Sequence, residues 1–395
     1  THPEEGHALI GSLVEGGPPT GDPDIVRSGL GIADVTRGDR VGPGPEDYLT
    51  EPAPATTMSH YRFGPLLTEN GVLFRLYAPS ADGVELLMPD RAPVAMQRDQ
   101  EGWFAVEIPE AGPGTRYAFR TGGLDVPDPA SRGQEEDARG WSVVRGPMPP
   151  PAPRSARPWH EAVIAELHIG TASPEGTFAG LTKRVGHFAE AGYTAIELMP
   201  IADFPGSHNW GYDGVLPFSP ERSYGTPEEL RALVDAAHEA GLAVILDVVY
   251  NHFGPVDNYL PHYAKTFFDE SVKTPWGAGL NFADPTVRLF FLENVRMWLE
   301  DYDMDGLRFD AVHEFGTAGG DEMKRSMAAM ARAIKPDALL ILENLANEAA
   351  WLERDDSGRP LAFDAQWNDD IHHVLHVLTT DQTACYYQDF AEHPV

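Results

Sequence analysis

Cysteine is nearly missing from this chain: Cys385 is the only one. A single thiol excludes an internal disulfide framework and any zinc site built on paired cysteines. Lysine is scarce too, with Lys183, Lys265, Lys273, Lys324 and Lys335 the full set, so arginine carries most of the positive charge. The formal charge is −32 at pH 7. A chain this acidic is repelled by phosphate backbones and anionic bilayers, which argues against nucleic acid or membrane as partner and favours a neutral one. No apolar run approaches the ~20 residues that cross a bilayer. The opening Thr1-His2-Pro3-Glu4-Glu5 has neither the basic nor the apolar part of an export signal. These absences predict a cytoplasmic globular protein of more than one domain. They leave its oligomeric state open.

Residues 1–57 hold 18 glycines and prolines, a density that predicts a loosely ordered leader. From 58 to 144 short β-rich segments follow: Val72–Tyr77, Val84–Met88, Trp103–Ile108 and Tyr117–Arg120. Gly, Pro or Asp separates them, which predicts a small β-sandwich. Residues 145–158 contain Gly146-Pro-Met-Pro-Pro-Pro-Ala-Pro153 and read as a stiff linker. Over 159–395 strands and helices alternate, the texture of a parallel α/β sheet. The candidate strands are Ala162–Leu167, Ala195–Met199, Ala243–Val249, Gly306–Phe309, Ala338–Leu342 and Leu361–Trp367. One helical stripe runs Phe178, Leu181, Val185, Phe188 to a stop at Gly192. Thr226-Pro-Glu-Glu229 is a capping box ahead of another helix, and Asp284-Pro285 opens a third. No glycine-rich phosphate loop follows the first strand, which disfavours nucleotide folds.

Three of the apolar strands run into acids: Asp247, Asp310 and Glu343. An acid in that place sits at the carboxyl end of a parallel sheet, where barrel enzymes carry their chemistry. Any one of them would pass as a helix cap; three on separate strands converge. Arg308 shares a strand face with Asp310 and is expected to keep it charged. Glu343 follows four aliphatic residues and has no cation within three positions, so desolvation is expected to keep it protonated. One charged and one neutral carboxyl are the equipment of glycoside cleavage, with Asp310 as nucleophile and Glu343 as acid, then base. Around them lie Trp210, Tyr212 and Asp213, then Asn251 and His252, then Trp276 in a long insertion. These residue types stack on sugar rings and bond hydroxyls, although some of the aromatics are expected to serve packing. His372, His373 and His376 read as helix surface, since no third ligand or His-Glu-x-x-His pattern accompanies them.

Asp247-Val-Val-Tyr-Asn-His252, Gly306-Leu-Arg-Phe-Asp-Ala-Val-His313 and the strand ending in Glu343 resemble the first three sequence regions of the α-amylase superfamily. Within it, Asn209-Trp-Gly-Tyr-Asp-Gly-Val215, Thr274-Pro-Trp-Gly277, Leu342-Glu-Asn344 and Ala365-Gln-Trp-Asn-Asp-Asp370 resemble the maltooligosyltrehalose trehalohydrolases. The resemblance implies a (β/α)8-type TIM barrel behind a carbohydrate-module-like sandwich. It also implies cleavage of the α-1,4-glucosidic bond beside the trehalose end of a maltooligosyl trehalose, with retention. Asp247 and Arg308 would order the site, His252 and His313 would hold hydroxyls of the cleaved glucose, and Tyr212 would stack beneath it. The substrate would be an α-glucan oligosaccharide. No cofactor and no metal are implied. The superfamily's fourth region, an Asn-His-Asp triplet, is absent, so the barrel is expected to be incomplete at its C-terminus and the chain truncated. Two other readings remain open: an α-1,4-glucan branching or debranching enzyme, and a non-catalytic glucan-binding protein on the same fold.

Overall fold

The computed structural model describes residues 61–152 and 157–392. The expected leader at 1–57 lies outside them. The four sandwich strands anticipated from sequence are all present, with ends shifted by no more than a residue. One antiparallel sheet runs in the order Leu66–Leu67, Val72–Tyr77, Trp103–Ile108, Gln97–Arg98. The other runs Val94–Ala95, Val84–Leu87, Arg116–Thr121, Leu124–Val126. Alternation puts Val72, Phe74 and Leu76 on one face, and all three are buried. Phe74 meets Tyr117 of the facing sheet with ring centroids 4.8 Å apart.

The sandwich is fastened to the second part of the chain. Phe63 packs edge-on against Phe290 at 5.0 Å, and the backbone N–H groups of Arg62 and Phe63 both donate to the Glu293 carboxyl, at 2.6 and 3.0 Å. Burial pushes Glu293 up to about 7.

That second part is a partial (β/α) barrel. Its six parallel strands lie in chain order: Ile164–Leu167, Ala195–Leu198, Ala243–Val248, Gly306–Phe309, Leu339–Glu343 and Ala365–Trp367. Every second residue faces the interior, where Ala195, Ala243, Ile245, Leu339 and Ile341 pack together against Ile164 and Trp367. Helices cover the outer face. Thr226 caps Pro227–Glu239 by the complete box with Glu229, and the Asp284 carboxylate caps Pro285–Arg296 through Thr286 and Val287. A five-residue π-turn, Met297–Asp301, continues the second helix. Helix Gly320–Ile334 lies between the fourth and fifth strands.

Three expectations need correction. The stripe from Phe178 to Phe188 is two short helices, Phe178–Thr182 and Val185–Glu190, because the chain turns at Lys183–Arg184 and Arg184 N–H bonds back to Leu181. The first strand starts at Ile164, later than Ala162. The sixth starts at Ala365, not Leu361: Leu361 N–H is taken by Glu353 in a surface turn where Arg354 pairs with Pro360. The long insertion after the third strand contains a one-turn helix, Leu260–Tyr263, and a hairpin of Phe268–Thr274 with Gly277–Leu280. His372, His373 and His376 sit on helix Asp369–Thr380, with His373 stacked on Phe390 and His376 on Tyr387. Among the described residues no group of three His, Cys, Asp or Glu side chains is arranged to hold a metal ion. No described helix is long and apolar enough to cross a membrane.

Candidate active site

Parallel pairing sets Asp247 level with Arg308 on the neighbouring strand. Asp310 follows the fourth strand by one residue and Glu343 closes the fifth. Arg308 then reaches all three acids. Its Nη1 donates to Asp247 at 2.9 Å and to Asp310 Oδ1 at 2.7 Å, and its Nη2 lies 3.0 Å from Glu343 Oε2. One guanidinium thus holds Asp310 on one nitrogen and Glu343 on the other, which brings the two carboxyl groups side by side. Ala311, in the left-handed region at φ 42°, turns the chain so that its N–H donates to Glu343 Oε2 at 2.9 Å. Asn251 Nδ2 fixes the other oxygen of Asp310 at 2.8 Å.

Burial competes with these contacts. It raises the Glu343 carboxyl above its ordinary range, against the pull of Arg308 and the Ala311 N–H and with the help of Asp310. The sequence expectation that Glu343 stays protonated therefore has the right cause, but a cation does stand beside it, contributed by a different strand. Asp247 is pushed up to about 7, with burial outweighing Arg308. For Arg308, burial works against the charge, yet Asp247, Glu343 and Asp310 outweigh it and hold the guanidinium above its usual value.

Tyr212 donates its hydroxyl to Asp247 Oδ2 at 2.9 Å. It is turned inward by Gly211 (φ 102°), where a Cβ would meet the Pro200 carbonyl oxygen at 1.9 Å. His252 Nε2 donates to the Tyr212 carbonyl at 2.8 Å, and its ring stacks on Trp276 with centroids 4.0 Å apart. Burial lowers the His252 pKa, against the Tyr212 carbonyl, Asp310 and Asp213, which raise it, and its Nδ1 faces Asn251 Oδ1. Asp213 accepts from Asn209 Nδ2 at 2.8 Å. Trp210 is 74% exposed on the wall of a cleft of about 720 Å³ that also takes in Tyr212, Asp213 and His168. His313 stands apart from this network: among the described residues its buried Nδ1 has no partner, and its Nε2 lies 4.0 Å from Glu314.

Two residues beside or beneath this network were given no role from the sequence. His168 Nε2 meets the Asn209 carbonyl at 2.8 Å and the Tyr224 hydroxyl at 3.0 Å, joining the loops after the first two strands. Its position just past the end of the first strand was the available signal. Glu197, in the middle of the second strand, carried none.

Protein-family models match the chain in two places. Residues 62–136 fit carbohydrate-binding module 48, the isoamylase N-terminal domain, and residues 134–277 fit the alpha amylase catalytic domain. A Salmonella typhimurium protein, solved at 1.4 Å as a candidate alpha amylase, superposes with a TM-score of 0.81 at 39% identity, covering 85% of this chain and 58% of that one. The chain belongs to the α-amylase superfamily. Within that superfamily it stands with the malto-oligosyltrehalose trehalohydrolases. The protein of that name from Saccharolobus solfataricus is 42% identical over 335 residues, which are 83% of this chain and 59% of the relative. The one from Deinococcus radiodurans is 35% identical over 355 residues, 88% of this chain and 56% of the relative. A 1,4-alpha-glucan branching enzyme from Nocardia farcinica matches at 30% over 62% of the chain. The chain spans a little over half the length of the trehalohydrolases it matches.

Proposed function

We propose that this chain carries the catalytic centre of a retaining glycoside hydrolase, which cuts the α-1,4-glucosidic bond next to the trehalose end of maltooligosyl trehalose. The observation that carries the reading is the single guanidinium of Arg308 gripping Asp310 and Glu343 at once. It holds a nucleophile and a proton donor against one bond. The Asp310 carboxylate attacks the anomeric carbon while the Glu343 proton passes to the glycosidic oxygen, and trehalose leaves as a neutral alcohol. Glu343, now a carboxylate, takes a proton from water, and the water oxygen displaces Asp310 from the sugar. Two inversions give net retention.

Asp247 and Asn251 hold Arg308 and Asp310 in place. Tyr212, His252 and His313 surround the cleaved glucose. Trp210, Asp213 and Trp276 bind other parts of the α-glucan chain. The same reading divides the chain into a sandwich over 58–144, a linker over 145–158 and the barrel from 159, and places the protein in the cytoplasm.

The test is product analysis. Incubation of maltooligosyl trehalose with a protein that carries this chain at the full length of its relatives is expected to release trehalose, and Asp310→Asn in that protein is expected to stop the release while glucan binding persists. New α-1,6 links from amylose, without trehalose, would establish a branching activity instead. Binding without turnover by that full-length protein would favour a scaffold. Activity of Asp310→Asn within tenfold of the parent would remove Asp310 as nucleophile.

A further inference from the structure

Glu197 is an acid that the proposed reaction does not use. It is 0% exposed, and among the described residues neither of its carboxyl oxygens has a hydrogen-bond partner. Its direction follows from the pleat. Ala195, two positions earlier on the strand, belongs to the barrel interior, so Glu197 points there as well. Both flanking strands are present, with Glu166 level with it on one side and Ile245 on the other. Asp247 stands two residues beyond Ile245 on the same face, and Arg308 is level with Asp247. Glu197 therefore lies one layer beneath the acid–guanidinium cluster, among alanine and isoleucine.

A buried acid without a partner is costly where an aliphatic residue would pack at no such cost. It is tolerated in its uncharged form, and burial holds it there by pushing it up to about 8. Three charged or titratable groups act on it: Asp247 and Glu166 repel its charge, and Arg308 attracts it.

We propose that Glu197 is a positioning residue whose proton sets the geometry of the cluster above it. Uncharged, it leaves the Arg308 guanidinium to Asp247, Asp310 and Glu343. Ionised, it draws Arg308 into the barrel and repels Asp247, loosening the grip that aligns nucleophile and acid. The catalytic consequence rests on the glycosidase reading; the state of Glu197 does not.

Glu197→Gln keeps the outline and is uncharged at every pH. The substrate is an aryl α-maltooligoside, whose departure needs no proton from Glu343, so the alkaline limb is free of that group. With Glu197 titrating at about 8, the parent is expected to fall to about a tenth of its neutral activity by about pH 9. Glu197→Gln and Glu197→Met are expected to hold theirs, an advantage of about tenfold. An identical fall in parent and variants would overturn the proposal. So would failure of both variants to fold at neutral pH, because an uncharged acid should tolerate those replacements.

Infrared difference spectra of parent against Glu197→Gln need no substrate. They are expected to show a protonated-carboxyl band that disappears around pH 8. Its loss below about pH 6, or its absence, would overturn the proposal. If neither parent nor variants, at the full length of the relatives, turn over any glucoside, the glycosidase reading fails and the infrared result alone decides the protonation state of Glu197.

Discussion

Replacing Arg308 by lysine keeps the positive charge and removes the fork. In the parent, Nη1 lies 2.9 Å from Asp247 and 2.7 Å from Asp310, while Nη2 lies 3.0 Å from Glu343. An ammonium is a single point. Seated between Asp247 and Asp310, it loses Glu343. A hydrogen bond to a charged group is worth about 1.5–3 kcal/mol. Losing one, together with some alignment of the nucleophile, costs about 2–3 kcal/mol of transition-state stabilisation, or about 30- to 150-fold in kcat/KM. Direction in pH is a second prediction of the same change. Arg308 lowers the Glu343 pKa in the parent, so Arg308→Lys lets it climb. The general acid must be protonated to act, so the alkaline limb of turnover moves to higher pH. Trehalose release from maltooligosyl trehalose, followed across pH, reads both effects, and thermal unfolding verifies that the fold survives. A kcat/KM within about threefold of the parent, or a limb that moves toward acid, would refute the assignment of one guanidinium to two reacting carboxyls.

Glu343→Gln is expected to cripple hydrolysis of maltooligosyl trehalose but to spare the first, bond-breaking step with an aryl leaving group, since only the former needs a proton; equal loss on both would remove Glu343 as the acid. Thr226→Ala removes the hydroxyl that accepts the Glu229 N–H at 3.2 Å, leaving only the half of the box in which the residue-226 N–H donates to Glu229 at 2.8 Å, and should lower stability by about 1 kcal/mol in urea titrations without changing turnover per folded molecule. Stability itself should fall as pH rises. Burial raises Asp128 to about 6, Glu293 and Asp247 to about 7 and Glu197 to about 8 in the folded protein. For an acid with a raised folded pKa, the favourable contribution is complete below the unfolded value, about 4, and is lost as pH climbs through the folded one. The urea midpoint is therefore expected to be lower at about pH 8 than at about pH 5; a higher midpoint would show that these acids are not held neutral.

Much of the fold was legible because its signals are local. The capping box at Thr226 and the Asp284-Pro285 start each need only three or four neighbouring residues. The acids closing three apolar strands needed one further step, since parallel strands in register bring their ends together. What stayed hidden depends on neighbours across strands. Glu343 looked free of cations along the chain, yet Arg308 reaches it from the preceding strand. Nothing along the chain tells that Asp247 is completely enclosed, which lifts it to about 7. Glu197 sits inside an apolar run and reads as nothing in particular until the pleat decides which way it points. The two short helices at 178–190 keep a continuous apolar stripe while the backbone breaks, so periodicity alone could not separate them.

The attachment of the sandwich has a further consequence. Its rings look inward: Phe74, Phe104, Tyr117 and Phe119 fill its own centre, while Phe63 packs against both Trp103 and Phe290 and the Tyr61 hydroxyl donates to Asp301 at the seam. Of its large apolar side chains, only Leu124 counts as exposed among the described residues. Spent in this way, the aromatics of this module work as mortar. Cutting the chain in the 145–158 stretch would not by itself release two free-standing pieces; only pulling them apart would bare two apolar surfaces, one of them carrying the Glu293 carboxyl stripped of its two backbone donors.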